Sequence, residues 1–188
     1  MNPKDLLDNL HLMERLKDAT RHCYTSEGRH ESVAEHSWRL ALMAYWISDA
    51  FPEADMNKVV KMCLIHDIGE AFTGDIPTFL KTAADESREE SLLYGWVDTL
   101  PAPFCDEMRF LYDEMRERKT VEAKIYKALD GLEAVIAHNE SQIETWLPNE
   151  YDLQLTYAYD KVGFSPYLLA LRDLVKEESI EKIAAAKL

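Results

Sequence analysis

Apolar residues recur every three or four positions along most of the chain, the period of an amphipathic helix rather than a strand. Leu6, Leu7, Leu10, Met13 and Leu16 predict a first helix. A second opens with a capping box, in which Ser32 and Glu35 each bond the other's backbone N–H. Val33, His36, Leu40, Met43, Ala44 and Ile47 mark its inward face, and Pro52 closes the segment. Residues 57 to about 69 predict a third helix, carrying Val59, Val60, Cys63 and Leu64. Gly74-Asp75-Ile76-Pro77 is a turn signal.

Residues 85–100 and 103–118 predict two more helices, split at Pro101-Ala102-Pro103. Residues 120 to about 138 predict a long helix with Ile125, Leu129, Leu132, Val135 and Ile136 on its apolar side. The stretch 142–163 is the least regular, with Trp146, Tyr151, Tyr157 and Tyr159 suited to a lid or an interface. Ser165 caps a final helix, with Pro166 at its favoured first position. No series of alternating strands and no repeat stands out, so the expectation is an all-α fold, one domain over residues 1–188.

Composition agrees with a folded globular chain: 47% hydrophobic and 30% charged residues over 188 positions. The net charge of -14 repels nucleic-acid backbones and excludes them as the expected partner. It would also repel an anionic substrate, unless a bound divalent cation reversed the local potential. Cys23, Cys63 and Cys105 are odd in number and lack CxxC spacing, which fits a reducing compartment. No apolar run follows Met1, and the longest one, near residues 40–47, is too short to span a bilayer. The expected location is cytoplasmic, with no membrane partner.

The candidate chemistry centres on His66-Asp67, an imidazole and a carboxylate side by side at the end of an apolar run. On a helix they point about 100° apart but can converge on an ion between them. Glu70 borders the same face, and Asp75 follows Gly74, where a loop could fold it over the site. His36 and Asp130 lie on other predicted helices with apolar neighbours that turn them inward, and a bundle can gather such side chains into one core site. Two His and two Asp suit one divalent ion among Mn, Co, Zn, Fe, Ni and Mg, leaving room for water and a substrate oxygen. That is the equipment of metal-assisted hydrolysis.

Taken singly, each residue has a plainer reading. His36 would be a core histidine, Asp130 a partner of Lys127, Glu70 a solvated edge and Asp75 a turn residue. His11, His22, His30 and His138 read as surface or packing residues, and Glu35 is accounted for by its cap. The joint pattern carries the metal reading.

The order His…His-Asp…Asp on an all-α chain resembles the HD-domain metal-dependent phosphohydrolases. Glu31-Ser32-Val33-Ala34-Glu35-His36, His66-Asp67-Ile68-Gly69-Glu70 with Gly74-Asp75-Ile76-Pro77, and Lys127-Ala128-Leu129-Asp130 are similar to the bacterial 5'-deoxynucleotidase group and its small eukaryotic relatives. The motif-bearing core covers about 13–139, with a helical extension over about 140–188. The resemblance implies His36, His66, Asp67 and Asp130 as metal ligands. It implies Glu70 and Asp75 as the acidic groups working on the attacking water and the leaving 5'-oxygen. Arg21 would contact the phosphate, with Arg29 a weaker candidate. The family carries an aromatic residue after that arginine; here His22 stands at this substrate-contacting position. The implied activity is hydrolysis of nucleoside 5'-monophosphates, deoxy forms in particular, by a homodimer. The alternatives are a phosphodiesterase or nucleoside triphosphohydrolase using the same metal, or a non-enzymatic metal- or nucleotide-binding module.

Overall fold

The computed structural model describes residues 1–186. It is helical almost throughout, as the spacing predicts. The first predicted helix is broken in two, α1 (Pro3–Met13) and α2 (Arg15–Asp18). Its apolar stripe does not face the core: Leu6, Leu7 and Leu10 are exposed, and of the stripe only Leu16 is buried.

A feature missing from the sequence reading comes next. Strands β1 (Thr20–Tyr24) and β2 (His30–Ser32) form an antiparallel hairpin, with Thr20 opposite Ser32 and Tyr24 opposite His30. Both are too short for alternation to register. The pairing slips between its two ends, a bulge that lets consecutive residues of β1 face one side.

Helix α3 (Val33–Trp46) starts at the predicted capping box, with Ser32 Oγ accepting from Glu35 N–H. Helix α4 (Met56–Ile65), capped by Asp55, begins one residue before the predicted 57 and stops short at His66 instead of running to about 69. Residues 66–69 turn through tight i→i+3 bonds, such as Glu70 N–H to Asp67 O, into α5 (Glu70–Thr73). Gly74 then takes φ +75°, a conformation that side-chain-bearing residues rarely adopt. Helices α6 (Ala83–Val97) and α7 (Phe104–Glu117) follow, α6 opening with a Thr82–Asp85 capping box.

Helix α8 (Val121–Glu140) is the axis of the molecule, contacted by α3, α4, α7 and β1. The segment 142–163 is more ordered than its sequence suggests, containing α9 (Glu150–Thr156) and α10 (Tyr159–Val162). Helix α11 (Pro166–Ala185) packs back on α8 from its Ser165 cap. Val33, Leu40, Ala44, Val59, Met62, Ile125, Leu129, Leu132, Val162 and Leu168 are fully buried where these helices meet. Each fully buried Leu or Val side chain contributes about 1.5–3 kcal/mol. This core fixes α3, α4 and α8, the three elements that carry the candidate ligands.

Candidate metal centre and adjoining cavity

Four donor atoms converge at the meeting of α3, α4 and α8. His36 Nε2 lies 3.2 Å from His66 Nε2 and 3.3 Å from Asp130 Oδ1. Asp67 Oδ2 lies 3.0 Å from His66 Nε2 and 3.8 Å from His36 Nε2. The end of α4 at His66 produces this convergence, because Asp67 sits in the turn rather than round the helix. Both ring orientations are fixed from behind. His66 Nδ1 meets the carbonyl oxygen of Cys63 at 2.9 Å, and His36 Nδ1 is bonded to Glu133. Each Nε2 is thereby left facing the shared centre, the arrangement by which carboxylates and carbonyls orient metal-bound imidazoles. His36, His66 and Asp67 form a three-donor group able to hold one divalent ion, and Asp130 Oδ1, 3.3 Å from His36 Nε2 and 3.7 Å from His66 Nε2, stands beside it as a fourth donor.

The charges around the centre are mutually adjusted. Burial opposes ionisation of Asp130, yet Lys127 Nζ at 2.7 Å and the two imidazoles hold its carboxyl far below the usual range. Burial likewise opposes the charge on Asp67, and His66 and His36 keep it ionised. Burial and Arg21 disfavour the His36 cation, but Asp130 and Glu133 outweigh them and lift its pKa to about 10.

Glu70 and Asp75 flank the centre. Glu70 is buried, and its Oε2 has no hydrogen-bond partner among the described residues. Burial, then Asp67 and Asp75, push its carboxyl up to about 9. Burial also raises Asp75, partly offset by Arg21. Arg21 Nη1 reaches to 3.9 Å from Asp67, while Nε is 3.3 Å from the buried Glu31. Arg29, by contrast, is bound to the capping residue Glu35 on the surface.

A cavity of about 340 Å³ adjoins the centre. Arg21, His22 and Cys23 of β1 line it together with Asp75, Phe79, His138 and the α9 residues Glu150 and Leu153. His22 Nε2 lies 2.9 Å from Glu150 Oε1, and His138 is stacked on Trp146. His138 keeps its packing role against Trp146 and also lines the cavity.

The sequence reading missed Glu133, Glu31 and Glu150. Glu133 carried a signal: an acidic residue three positions after Asp130, among the apolar positions of α8. Its carboxylate is fully buried and accepts from Arg39 Nε at 2.7 Å, linking His36 to the surface. Nothing local marked Glu150, which reaches the cavity through the fold of 142–163.

A helical bundle, with one short hairpin, around a His-His-Asp-Asp cluster defines the class. The chain belongs to the HD domain family, whose model matches residues 13–168. It is 31% identical to the human 5'-deoxynucleotidase HDDC2 across 97% of this chain and 90% of that protein. The zebrafish (Danio rerio) 5'-deoxynucleotidase HDDC2 is 28% identical across 96% of this chain and 91% of its own length. The crystal structure of a predicted metal-dependent phosphohydrolase from Magnetospirillum magnetotacticum MS-1 superposes with a TM-score of 0.78 at 26% identity, covering 94% of this chain and 93% of that one.

Proposed function

We propose that the protein is a metal-dependent phosphomonoesterase that hydrolyses nucleoside 5'-monophosphates to nucleoside and phosphate. The observation that carries this reading is the four-donor cluster with Arg21 beside it: Arg21 lies 3.9 Å from Asp67 and, with Asp75, lines a cavity of about 340 Å³. The human and zebrafish relatives, 5'-deoxynucleotidases by name, support deoxyribonucleotides as substrates here.

His36, His66, Asp67 and Asp130 would hold the ion, which would supply Lewis-acid stabilisation of the phosphoryl charge and lower the pKa of water there. Arg21 binds the phosphate oxygens; Glu31 and Asp67 hold its guanidinium at the cavity mouth and keep it charged against burial. Glu70, beside Asp67, acts on the attacking water in its ionised form, where its raised proton affinity makes it a strong base. Asp75 lines the cavity on the nucleoside side and hands its proton to the leaving 5'-oxygen. Arg21 is the one cationic side chain lining the cavity among the described residues, which favours a monophosphate over a triphosphate.

A chain charge of -14 supports a small-molecule substrate over a nucleic acid. No helix among the described residues is long and apolar enough to cross a membrane. The three free cysteines support a cytoplasmic setting, and we read the chain as one domain. Trp38, Tyr45 and Trp46 on α3 are each more than 60% exposed, which supports a homodimer.

Colorimetric phosphate detection over a panel of nucleoside mono-, di- and triphosphates, with Mn, Co, Zn and Mg, tests the reading. Phosphate release from 5'-monophosphates is expected. Failure of every monophosphate on protein with metal bound would refute it, and pyrophosphate or tripolyphosphate from a triphosphate would favour the alternative hydrolase.

A further inference from the structure

Helices α3 and α8 face each other through two pairs of side chains with one spacing. His36 and Arg39 are three residues apart on α3, and Asp130 and Glu133 are three apart on α8, so each pair shares a helix face. The first members, His36 and Asp130, are donors at the metal centre. The second members meet behind them. Arg39 Nε donates to Glu133 Oε1 at 2.7 Å, and Nη2 lies 2.6 Å from the same oxygen. Glu133 Oε2 is bonded to His36 Nδ1, so one carboxylate joins the imidazole to the guanidinium. Arg39 Nη1 reaches on to Glu140, about two turns further along α8.

A brace between two helices does not require this arrangement. Glu133 is fully buried, and taking its charge out of water cancels much of the attraction the pair gains. A second buried acid adds repulsion: donor atoms of Glu31, His36 and Glu133 lie within 4.8 Å of one another. Arg21 Nε stands 3.3 Å from Glu31, and Arg39 supplies the matching charge to Glu133. What the arrangement does provide is orientation. A carboxylate only accepts, so Glu133 Oε2 keeps the His36 hydrogen on Nδ1 and leaves the Nε2 lone pair toward the metal centre. That holds only while the carboxylate keeps its plane. Arg39 fixes the plane by holding Oε1 in a rigid guanidinium fork.

We infer that Arg39 is a positioning residue of the metal centre. It fixes Glu133, Glu133 fixes the ring and tautomer of His36, and the affinity for the divalent ion follows. The Arg39 side chain is 26% exposed, so the affinity of a buried centre is set in part from the surface. The inference rests on the four-donor reading of the centre and is independent of which phosphate ester is cleaved.

The test is the divalent-metal affinity of the stripped full chain, read without substrate by competition with a chelating dye for Mn²⁺ and for Zn²⁺. Arg39→Met should weaken binding by about tenfold, and Arg39→Lys by less, because an ammonium keeps the charge without the planar fork. Arg39→Lys also carries the test should Arg39→Met fail to fold. The deciding protein carries both Arg39→Met and Glu133→Gln. It should bind within about twofold of Glu133→Gln alone, since the arginine acts through that carboxylate. Losses that multiply in the double variant would overturn the inference. So would wild-type affinity in both Arg39 variants with only a lowered melting temperature, which would leave the pair as a brace between α3 and α8. A wild type that binds neither ion would sink the four-donor reading and this inference with it. A wild type that binds the ion but cleaves no monophosphate would sink the monophosphatase reading alone.

Discussion

Glu70 shows most plainly how one side chain can serve chemistry at the expense of stability. Its carboxyl, raised to about 9 by burial and by Asp67 and Asp75, has an ordinary value near 4.5 once the chain unfolds. Between those values the folded state binds a proton that the unfolded state releases, so stability falls as pH rises from about 4.5 to about 9. Glu70→Gln removes that titration. In the metal-free protein the melting temperature at pH 8 should rise by ~4 °C, with little change at pH 4.5. Turnover of the loaded enzyme should fall by ~10²-fold or more. Thermal scans at the two pH values and a steady-state assay check both halves. Glu133 acts through His36, whose Nδ1 it holds. Glu133→Gln should weaken divalent-metal affinity by about 10–100-fold, read by competition with a chelating dye. Of these residues, the four donors, Glu70 and Asp75 were legible because their types and order make a pattern. Glu31, Glu133 and Glu150 were not, because a buried acid looks like a surface acid until its neighbours are known.

At the scale of elements, the helices were legible from spacing and caps, and the departures fall where tertiary contacts decide. No Gly or Pro marks the end of α4 at His66; the ring's contact with the Cys63 carbonyl accompanies the turn. The hairpin at residues 20–32 is too short and too charged to alternate visibly, and it packs on α8. Two glycines shape the site. Gly74, at φ +75°, returns the chain so that Asp75 lines the cavity, and an added Cβ would meet nothing within 4 Å. Gly74→Ala should therefore act through backbone strain alone, costing about 1 kcal/mol in urea unfolding and lowering kcat more than it raises KM. Gly131 follows Asp130, and a Cβ there would come within 2.8 Å of Ala158 Cβ. Gly131→Ala must push the α9–α10 segment off α8, with a larger loss of stability, about 1–3 kcal/mol by the same measurement.

The whole molecule is organised around α8, which carries Asp130 and Glu133 on one stretch and the cavity residues Ala134, Val135 and His138 on the next. The segment 142–163 lines one wall of the cavity with Glu150, Leu153, Gln154 and Tyr157, and Trp146 backs it by stacking on His138, where the sequence left a lid or an interface open. Arg172 of α11 pins that wall. Fully buried, it donates to the backbone oxygens of Gln154 at 2.6 Å and Tyr157 at 2.8 Å, the carbonyls that the end of α9 leaves unpaired. The wall was hidden from the sequence because its strongest tie joins residues 15 to 18 positions apart through backbone atoms. The acidity of the chain and the chemistry of its centre meet at this scale. A surface at -14 becomes receptive to a phosphate only where an ion and Arg21 stand together. The most direct measurement is therefore a titration of metal-free protein with Mn²⁺ in which bound metal and phosphate release from a nucleoside 5'-monophosphate are followed together. One ion per chain, with activity rising in step with occupancy and both abolished in Asp67→Asn, is the predicted result. Phosphate release that ignores occupancy, or full occupancy with no release from any monophosphate, would contradict the account.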